Sequence, residues 1–355
     1  MVLSDPKSKT IQLPFNTFHW VHAYWISRCI YVVAKLGIAD LLKDGSQDCD
    51  ALAAATNTHS DSLYRVLRAL ASMGIFAETQ PRYFELNPLS DCLQSNVPGS
   101  LRNLAIMRGE EHYYKAWENL MYTVQTGKCA IEHLYGMDLF QYFEQNSVAR
   151  KLFHPVDSLP KTSSSSKEIQ YPSFLEPYDF SSISKLVDIG GGRGWYLAAI
   201  LEANPNITGV LFELPKVIDE AKNSPEIASV SDRCQLIEGN FFEAIPEGGD
   251  AYLLKEIVHN WDDERAIAIL KRCHQAMKEQ GRLIVIEPVI STEKEFSMND
   301  FLTRFSDVHL MVVCSGGRER TETEFRDLFT SAGFKLTKVI PTNSEFFTIF
   351  EGVKT

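Results

Sequence analysis

Two periodicities divide this chain. From about residue 183 onward, short apolar runs alternate with amphipathic stretches. The runs KLVDIG, ITGVLFEL, CQLIEG, AYLLKEIV and RLIVIEPV each read as a strand, because brief apolar runs bounded by polar or glycine punctuation fit buried strands. Apolar residues at helical spacing predict helices over 194–203, 215–223, 262–279, 301–313 and 321–332, the second opening on Pro215. The chain closes on FKLTKVI and FFTIFEG, two strand patterns with no helix between them. This alternation predicts a doubly wound, mostly parallel α/β sheet of seven strands, with the last strand antiparallel.

Residues 16–155 follow a different grammar, nearly all helical. Within them, 50–56 reads as a short helix and 60–73 as an amphipathic one with Leu63, Val66, Leu67 and Leu70 on one face. IFAETQPRYFELN then predicts a hairpin turning at Gln80-Pro81, which completes a winged-helix pattern. A DNA-reading second helix wants lysine and arginine, whereas this one offers Arg65 and Arg68 beside Asp61. The scaffold reading is therefore preferred to nucleic-acid binding. The apolar run 23–42 contains Arg28, Lys35 and Asp40, so it predicts a buried or dimer-forming helix and no membrane span. The stretch 156–180 is rich in proline and serine and includes TSSSSK, the pattern of a linker or lid. The expected division is thus 1–155, a helical winged-helix domain; 156–180, the linker or lid; and 181–355, the α/β domain.

Composition narrows the setting. The formal charge of -11 argues against broad binding to nucleic acid or anionic membrane. The seven cysteines are scattered, with no C-x-x-C, which predicts reduced thiols, no zinc and a cytoplasmic location. The start, MVLSDPKSKTIQLPF, lacks the basic and apolar regions of a signal peptide.

The stretch LVDIGGGRGW is strand, glycine loop and helix, the place where Rossmann-like folds hold a nucleotide. A dinucleotide fingerprint starting at Gly190 would need its third glycine at 195, where Trp195 stands. Asp188, just before the loop, would oppose a pyrophosphate but suits a cationic or hydroxylated ligand. S-adenosylmethionine carries an ammonium, a sulfonium and a ribose, and no phosphate. Glu213, followed by Leu214, ends the second strand in place to accept from ribose hydroxyls; Asn240 and Phe241 follow the third, where an adenine edge and face could be read. The competing reading, a plain βα turn with no ligand, has to explain all of these in register.

With these segments in place, the chain resembles the S-adenosylmethionine-dependent, metal-independent small-molecule O-methyltransferases, such as plant caffeate and flavonoid enzymes and bacterial natural-product enzymes. The resemblance runs from about Phe15 to Phe350 through LGIADLL, LYRVLRALASMGIF, LVDIGGGRG, GVLFELP, LLKEIVHNWDDE, GRLIVIEPV and GGRERTETEFRDLFTSAGF. It implies a Rossmann-like class I methyltransferase domain, a winged-helix dimerisation domain forming a homodimer, and no resident metal. It implies that Gly190, Gly192 and Gly194 wrap the methionine moiety, that Lys255 faces the cofactor, and that S-adenosyl-L-homocysteine is its product. It also assigns His259 as the base, flanked by Glu287 and Glu319, and places Trp117, Phe153 and Met311 along the acceptor pocket.

The chemistry suits these types. A phenol, with a pKa of about 10, is a poor nucleophile until deprotonated. An imidazole can take that proton, and neighbouring carboxylates orient the ring and stabilise its charged form. Three departures from the family pattern stand out. Asn240 and Asn260 occupy positions where aspartate is common. FHPVDSLPKTSSSSKEIQ replaces a pocket-lining helix, so a lid or reshaped pocket is expected over 155–170. That departure also admits an alternative, a relative diverged to hydroxylation or decarboxylation with a structural cofactor.

Overall fold

A computed structural model of the chain describes residues 17–97, 99–153, 175–292, 297–344 and 346–355. The expected lid over 155–170 lies outside the described residues. The chain divides into two compact units. One comprises the residues up to Tyr114 with Lys151–Phe153; the other comprises Lys115–Arg150 and the residues from Leu175 onward.

In the first unit, helix Ala23–Leu36 stops at Gly37, whose φ of 70° takes the left-handed conformation that glycine adopts without a Cβ clash. Helix Arg102–Gly109 lies against it so closely that a Cβ on Gly109 would come within 2.2 Å of the Tyr31 ring. Arg28 donates to the Gly109 carbonyl and Arg102 to that of Ala34. The winged-helix pattern is present. Asp48 caps helix Cys49–Thr56, helix Ser60–Ala71 buries Leu63, Leu67 and Leu70, and three short strands follow it in part. These are β1 (Gln47–Asp48), β2 (Ala77–Gln80) and β3 (Tyr83–Glu85), an antiparallel sheet in the order β1-β3-β2. Arg82 on this wing pairs with Asp50 and Asp61, and Arg68 lies over the Tyr64 ring, so these cations are engaged within the unit.

The second unit is built on β4 (Lys185–Ile189), β5 (Thr208–Glu213), β6 (Cys234–Glu238), β7 (Ala251–Lys255), β8 (Arg282–Glu287), β9 (Phe334–Pro341) and β10 (Thr348–Lys354). Their order is β6-β5-β4-β7-β8-β10-β9, and β10 runs antiparallel to both of its neighbours. This is the class I methyltransferase fold expected from the strand–helix rhythm. Side-chain alternation of period two supplies both faces of the sheet. Val187, Tyr252, Leu254, Leu283 and Phe350 pack with helices Asp263–Ala276 and Glu322–Ser331. Leu186, Leu253, Ile284 and Ile349 pack with Leu197 and Leu201 of helix Trp195–Ala203. One boundary differs from the sequence reading. The run AYLLKEIV is not a strand throughout: β7 ends at Lys255, and Glu256 takes a φ of 54°.

Phe350 stacks on Phe325 at 4.3 Å and is fully buried. Phe350→Ala is expected to lower the free energy of unfolding by about 3–5 kcal/mol, the usual loss for an aromatic core truncation. Urea denaturation checks it, and a loss below about 1 kcal/mol would remove this stack from the core.

Candidate active site

Strand order reverses direction at β4, which has β5 on one side and β7 on the other. Crevices beyond the carboxyl ends of such strands are where doubly wound folds bind ligands. The glycine loop leaves β4 here with Gly190, Gly192 and Gly194 at φ of 70°, 60° and 79°. A Cβ on Gly190 would sit 2.5 Å from Ile257 Cδ1 and 3.7 Å from Phe241 Cε1, so the loop adjoins the segments after β7 and β6. A Cβ on Gly191 would meet Asp188 Oδ2 at 2.1 Å.

Asp188 is buried, and its Oδ2 has no hydrogen-bond partner among the described residues. Burial and then the Glu213 carboxylate push its pKa up to about 7, against the pull of Lys255. Glu213 accepts from the amides of Gly192 at 3.3 Å and Leu214 at 2.6 Å. Burial pushes it also to about 7, against those two bonds. Each of its oxygens has a further lone pair to offer. An orphaned buried carboxylate oxygen, a loop with no room for a side chain and a second acid together fit a ligand with ammonium and hydroxyl donors and no phosphate. S-adenosylmethionine meets that description.

The remaining expected cofactor residues are placed less directly. Asn240 Oδ1 accepts from the Phe242 amide at 2.9 Å, so this oxygen already holds the turn after β6. Phe241 packs edge-on to Trp261. Lys255 ends β7 with its ammonium 4.4 Å from the Tyr196 ring and 4.3 Å from that of Phe347, and it pairs with Glu256. Burial works to lower its pKa, but the Glu256 carboxylate outweighs it and the net shift is upward.

The histidine is held by a local device. Glu287, at the end of β8, turns one carboxylate oxygen to the amides of Ile257, Val258 and His259 at 3.0, 2.8 and 3.3 Å. Three amides converging on one point cannot belong to an extended strand, which is why β7 ends early and Val258–Asn260 forms a 3-10 turn. Asn260 Nδ2 donates to the Glu256 carbonyl at 2.8 Å, a bond that an aspartate could not make at neutral pH. His259 Nδ1 lies 3.2 Å from Glu319 Oε1, in hydrogen-bond geometry, and 3.4 Å from Glu287 Oε2. Ser306 donates to Glu319 Oε1 at 2.7 Å, and Asp307 accepts from the Glu319 amide at 2.9 Å.

Burial depresses the His259 pKa, but the Glu287 and then the Glu319 carboxylates overcome it, and the imidazole rises to about 9. Glu287 is pushed up to about 7 by burial, against the attraction of His259. With Nδ1 engaged by carboxylates, the network assigns the proton of the neutral imidazole to Nδ1 and its lone pair to Nε2. One nitrogen and two carboxylate oxygens here lie within 4.8 Å of one another, a donor set that could also hold a divalent cation. In the structure these same atoms pair with each other.

Of the expected acceptor-lining residues, Trp117 and Met311 lie in the sheet-bearing unit, and Phe153, the last residue of helix Ser147–Phe153, is counted with the other. Trp117 Nε1 donates to His309 Nδ1 at 2.9 Å. Met311 is on the same helix as His309, Met298–Val313. Sequence reasoning missed Ser306, Asp307 and Arg320 around the acidic cluster, and Tyr196 and Phe347 around Lys255. Arg320 adjoins Glu319 in GGRERT, the one signal that could have marked it.

Known proteins match this chain over most of its length. The model of the O-methyltransferase domain matches residues 117–335, and that of the O-methyltransferase dimerisation domain matches residues 18–96. Phenazine O-methyltransferase PhzM of Lysobacter antibioticus is 39% identical over 91% of this chain and 92% of its own. The mitomycin biosynthesis 6-O-methyltransferase of Streptomyces lavendulae is 35% identical over 89% and 88%. The solved structure of LaPhzM superposes with a TM-score of 0.86 at 37% identity, covering 95% of this chain and 98% of that one.

The glycine loop yields a binding prediction. Gly191→Ala drives a methyl into Asp188 and is expected to weaken S-adenosylhomocysteine by at least about tenfold, the equivalent of 1.4 kcal/mol. Isothermal titration calorimetry on the folded variant checks it, and a dissociation constant within twofold of the parent would exclude the loop as the cofactor cradle.

Proposed function

This chain belongs to the S-adenosylmethionine-dependent O-methyltransferase family, and we propose that it methylates a hydroxyl, phenolic in type, of a small specialised metabolite, with His259 as general base. One observation carries the reading. A buried imidazole, held at Nδ1 by two buried carboxylates, stands on the turn that adjoins the glycine loop through Ile257.

In this reading Asp188, Gly190, Gly192, Gly194, Glu213 and Leu214 hold the cofactor, with Asn240, Phe241 and Lys255 closing round its nucleoside end. S-adenosylmethionine, when bound, supplies the electrophilic methyl group. His259 Nε2 takes the proton of the acceptor hydroxyl, and the oxygen then carries the electron pair that would form the new C–O bond while the methyl–sulfur bond breaks, its pair going to sulfur and leaving S-adenosyl-L-homocysteine. Glu319 and Glu287 stabilise the imidazolium so formed. An imidazole near 9 and a phenol of about 10 are close enough in basicity for the transfer to be nearly balanced. Trp117 and Met311 line the acceptor in this reading. No resident metal takes part, so dialysis against EDTA leaves turnover unchanged.

The acceptor panel that tests this comprises 3-amino-4-hydroxybenzoate, a hydroxyphenazine, a hydroxynaphthoic acid and the amine anthranilate, each with labelled S-adenosylmethionine. The amine is included because three similar proteins bear N-methyltransferase or N,N-dimethyltransferase names. Cofactor binding with no transfer to any acceptor would favour the diverged, non-methylating alternative.

His259→Gln is expected to lower turnover by a factor of about 10²–10⁴, the usual worth of a positioned base, with S-adenosylhomocysteine affinity unchanged. The pH profile adds a sign. The base must be neutral, so kcat/KM of the parent rises with pH towards a plateau above an apparent pKa of about 9, well above an unperturbed imidazole. The glutamine variant loses that rising limb. Full activity in the variant, or an unchanged limb, would refute the assignment.

The partner and place of the protein follow the same family. We place it in the cytoplasm, as a homodimer formed through the N-terminal unit. None of the seven cysteines forms a disulfide, no described helix is long and apolar enough to cross a membrane, and Trp20, Tyr24 and Trp25 stand exposed within the dimerisation match. Analytical ultracentrifugation is expected to give twice the chain mass of 40.1 kDa, and Trp25→Asp to shift the protein towards monomer. A monomer mass at micromolar concentration would overturn the dimer.

A further inference from the structure

Arg320 is fully buried, one of the largest side chains so enclosed among the described residues. A guanidinium in such a place is costly unless its donors are met. Each of its nitrogens is. Nε and Nη2 donate to Asp263 Oδ1 at 3.0 and 2.7 Å, Nη2 also to the Trp261 carbonyl at 2.8 Å, and Nη1 to the Val258 carbonyl at 3.2 Å. Val258 and Trp261 bracket His259. The planar fork therefore grips both ends of the turn that carries the imidazole, together with the first residue of helix Asp263–Ala276.

The backbone around Arg320 is tied just as closely to the rest of the cluster. Its carbonyl accepts from the Ile290 amide at 3.0 Å, and it bridges Val289, two residues beyond Glu287. Its chain neighbour Glu319 holds His259 Nδ1, and the amide of Arg318 donates to the His259 carbonyl at 2.8 Å. His259, Glu287 and Glu319 come from three separate stretches of chain, and Arg320 touches or adjoins all three.

We propose that Arg320 is a positioning residue: its fork sets the His259 turn in register with Glu287 and Glu319, so that the imidazole keeps the orientation base catalysis needs. The inference rests on the reading of His259 as the base. A lysine keeps the charge but, as a single point donor, does not span Val258, Trp261 and Asp263 at once. The turn then loses an anchor while the glycine loop, at the end of β4, keeps its own contacts. A shift on the order of 1 Å at a reacting group costs about 10²-fold in rate.

The test uses Arg320→Lys in the full-length protein saturated with S-adenosylhomocysteine, with ¹⁵N-labelled histidine and the His259 signal assigned by its loss in His259→Gln. The expected result is that the His259 Nδ1 proton loses its downfield, hydrogen-bonded shift, while the dissociation constant of S-adenosylhomocysteine stays within about twofold. With the best acceptor of the panel, kcat falls about 10- to 100-fold and KM changes by less than about threefold. An unchanged His259 signal, or losses of kcat, cofactor affinity and melting temperature in proportion, would overturn the proposal, the latter marking Arg320 as a packing residue. Should the lysine variant not fold, Asp263→Ala removes one anchor of the same fork by truncating an exposed side chain, and the same shift in the His259 signal is required of it. His259→Gln in the same assays separates the two claims. If it is inactive while Arg320→Lys matches the parent, only the positioning role fails; if it is fully active, the base reading fails and takes this inference with it.

Discussion

The cluster depends on one oxygen of Glu287. It accepts three successive backbone amides, from Ile257, Val258 and His259, in a place where no water competes. Hydrogen bonds to a charged group contribute about 1.5–3 kcal/mol each at best, so together they can hold Glu256 in a left-handed conformation that costs roughly 1–2 kcal/mol. The consequence is geometric. The chain leaves β7 sharply, and the imidazole rises at the carboxyl end of the sheet with Nδ1 against both acids. The other oxygen of Glu287 faces that nitrogen, so one side chain both shapes the turn and charges the ring. Arg318, Glu319 and Arg320 close the same turn from the opposite side, through a carbonyl, a ring nitrogen and two further carbonyls.

A second pair of buried acids works on the other side of β7. Burial raises the proton affinity of both Asp188 and Glu213, and the Glu213 carboxylate raises that of Asp188 further. Lys255 is the nearest opposing cation, but Glu256 and two aromatic faces hold it. The crevice thus keeps an excess of carboxylate that a cationic ligand relieves. The same acids would repel a phosphate, and this, with the missing third glycine at Trp195, separates the site from a dinucleotide-binding one.

Much of this was legible along the chain. Alternating strand and helix patterns placed all seven strands of the large sheet, and the helixless closing pair announced the antiparallel β10. The winged-helix hairpin, the glycine loop and the order of the site motifs could be read locally, because each is a run of neighbouring residues with its own turn chemistry. The end of β7 could not. KEIV is apolar enough to continue a strand, and what stops it is a carboxylate some 30 residues further on. Asn260, which looked like a lost acid, is a donor to the Glu256 carbonyl, a role visible only once the turn exists.

The family resemblance named the three cluster residues; by itself the sequence determined the two grammars, the fold class and the phosphate-free character of the nucleotide loop. Those features rest on periodicity, glycine conformational freedom and motif order, which are properties of contiguous chain. Only the tertiary structure decided that His259 and Glu319, 60 residues apart, meet at Nδ1, that Ser306 and Asp307 brace the acid, and that Arg320 clamps the turn. Those are pairings of side chains with distant backbone and distant acids. Their physical basis is the need to satisfy every buried donor and charge, a condition that exists only after the chain has closed around them.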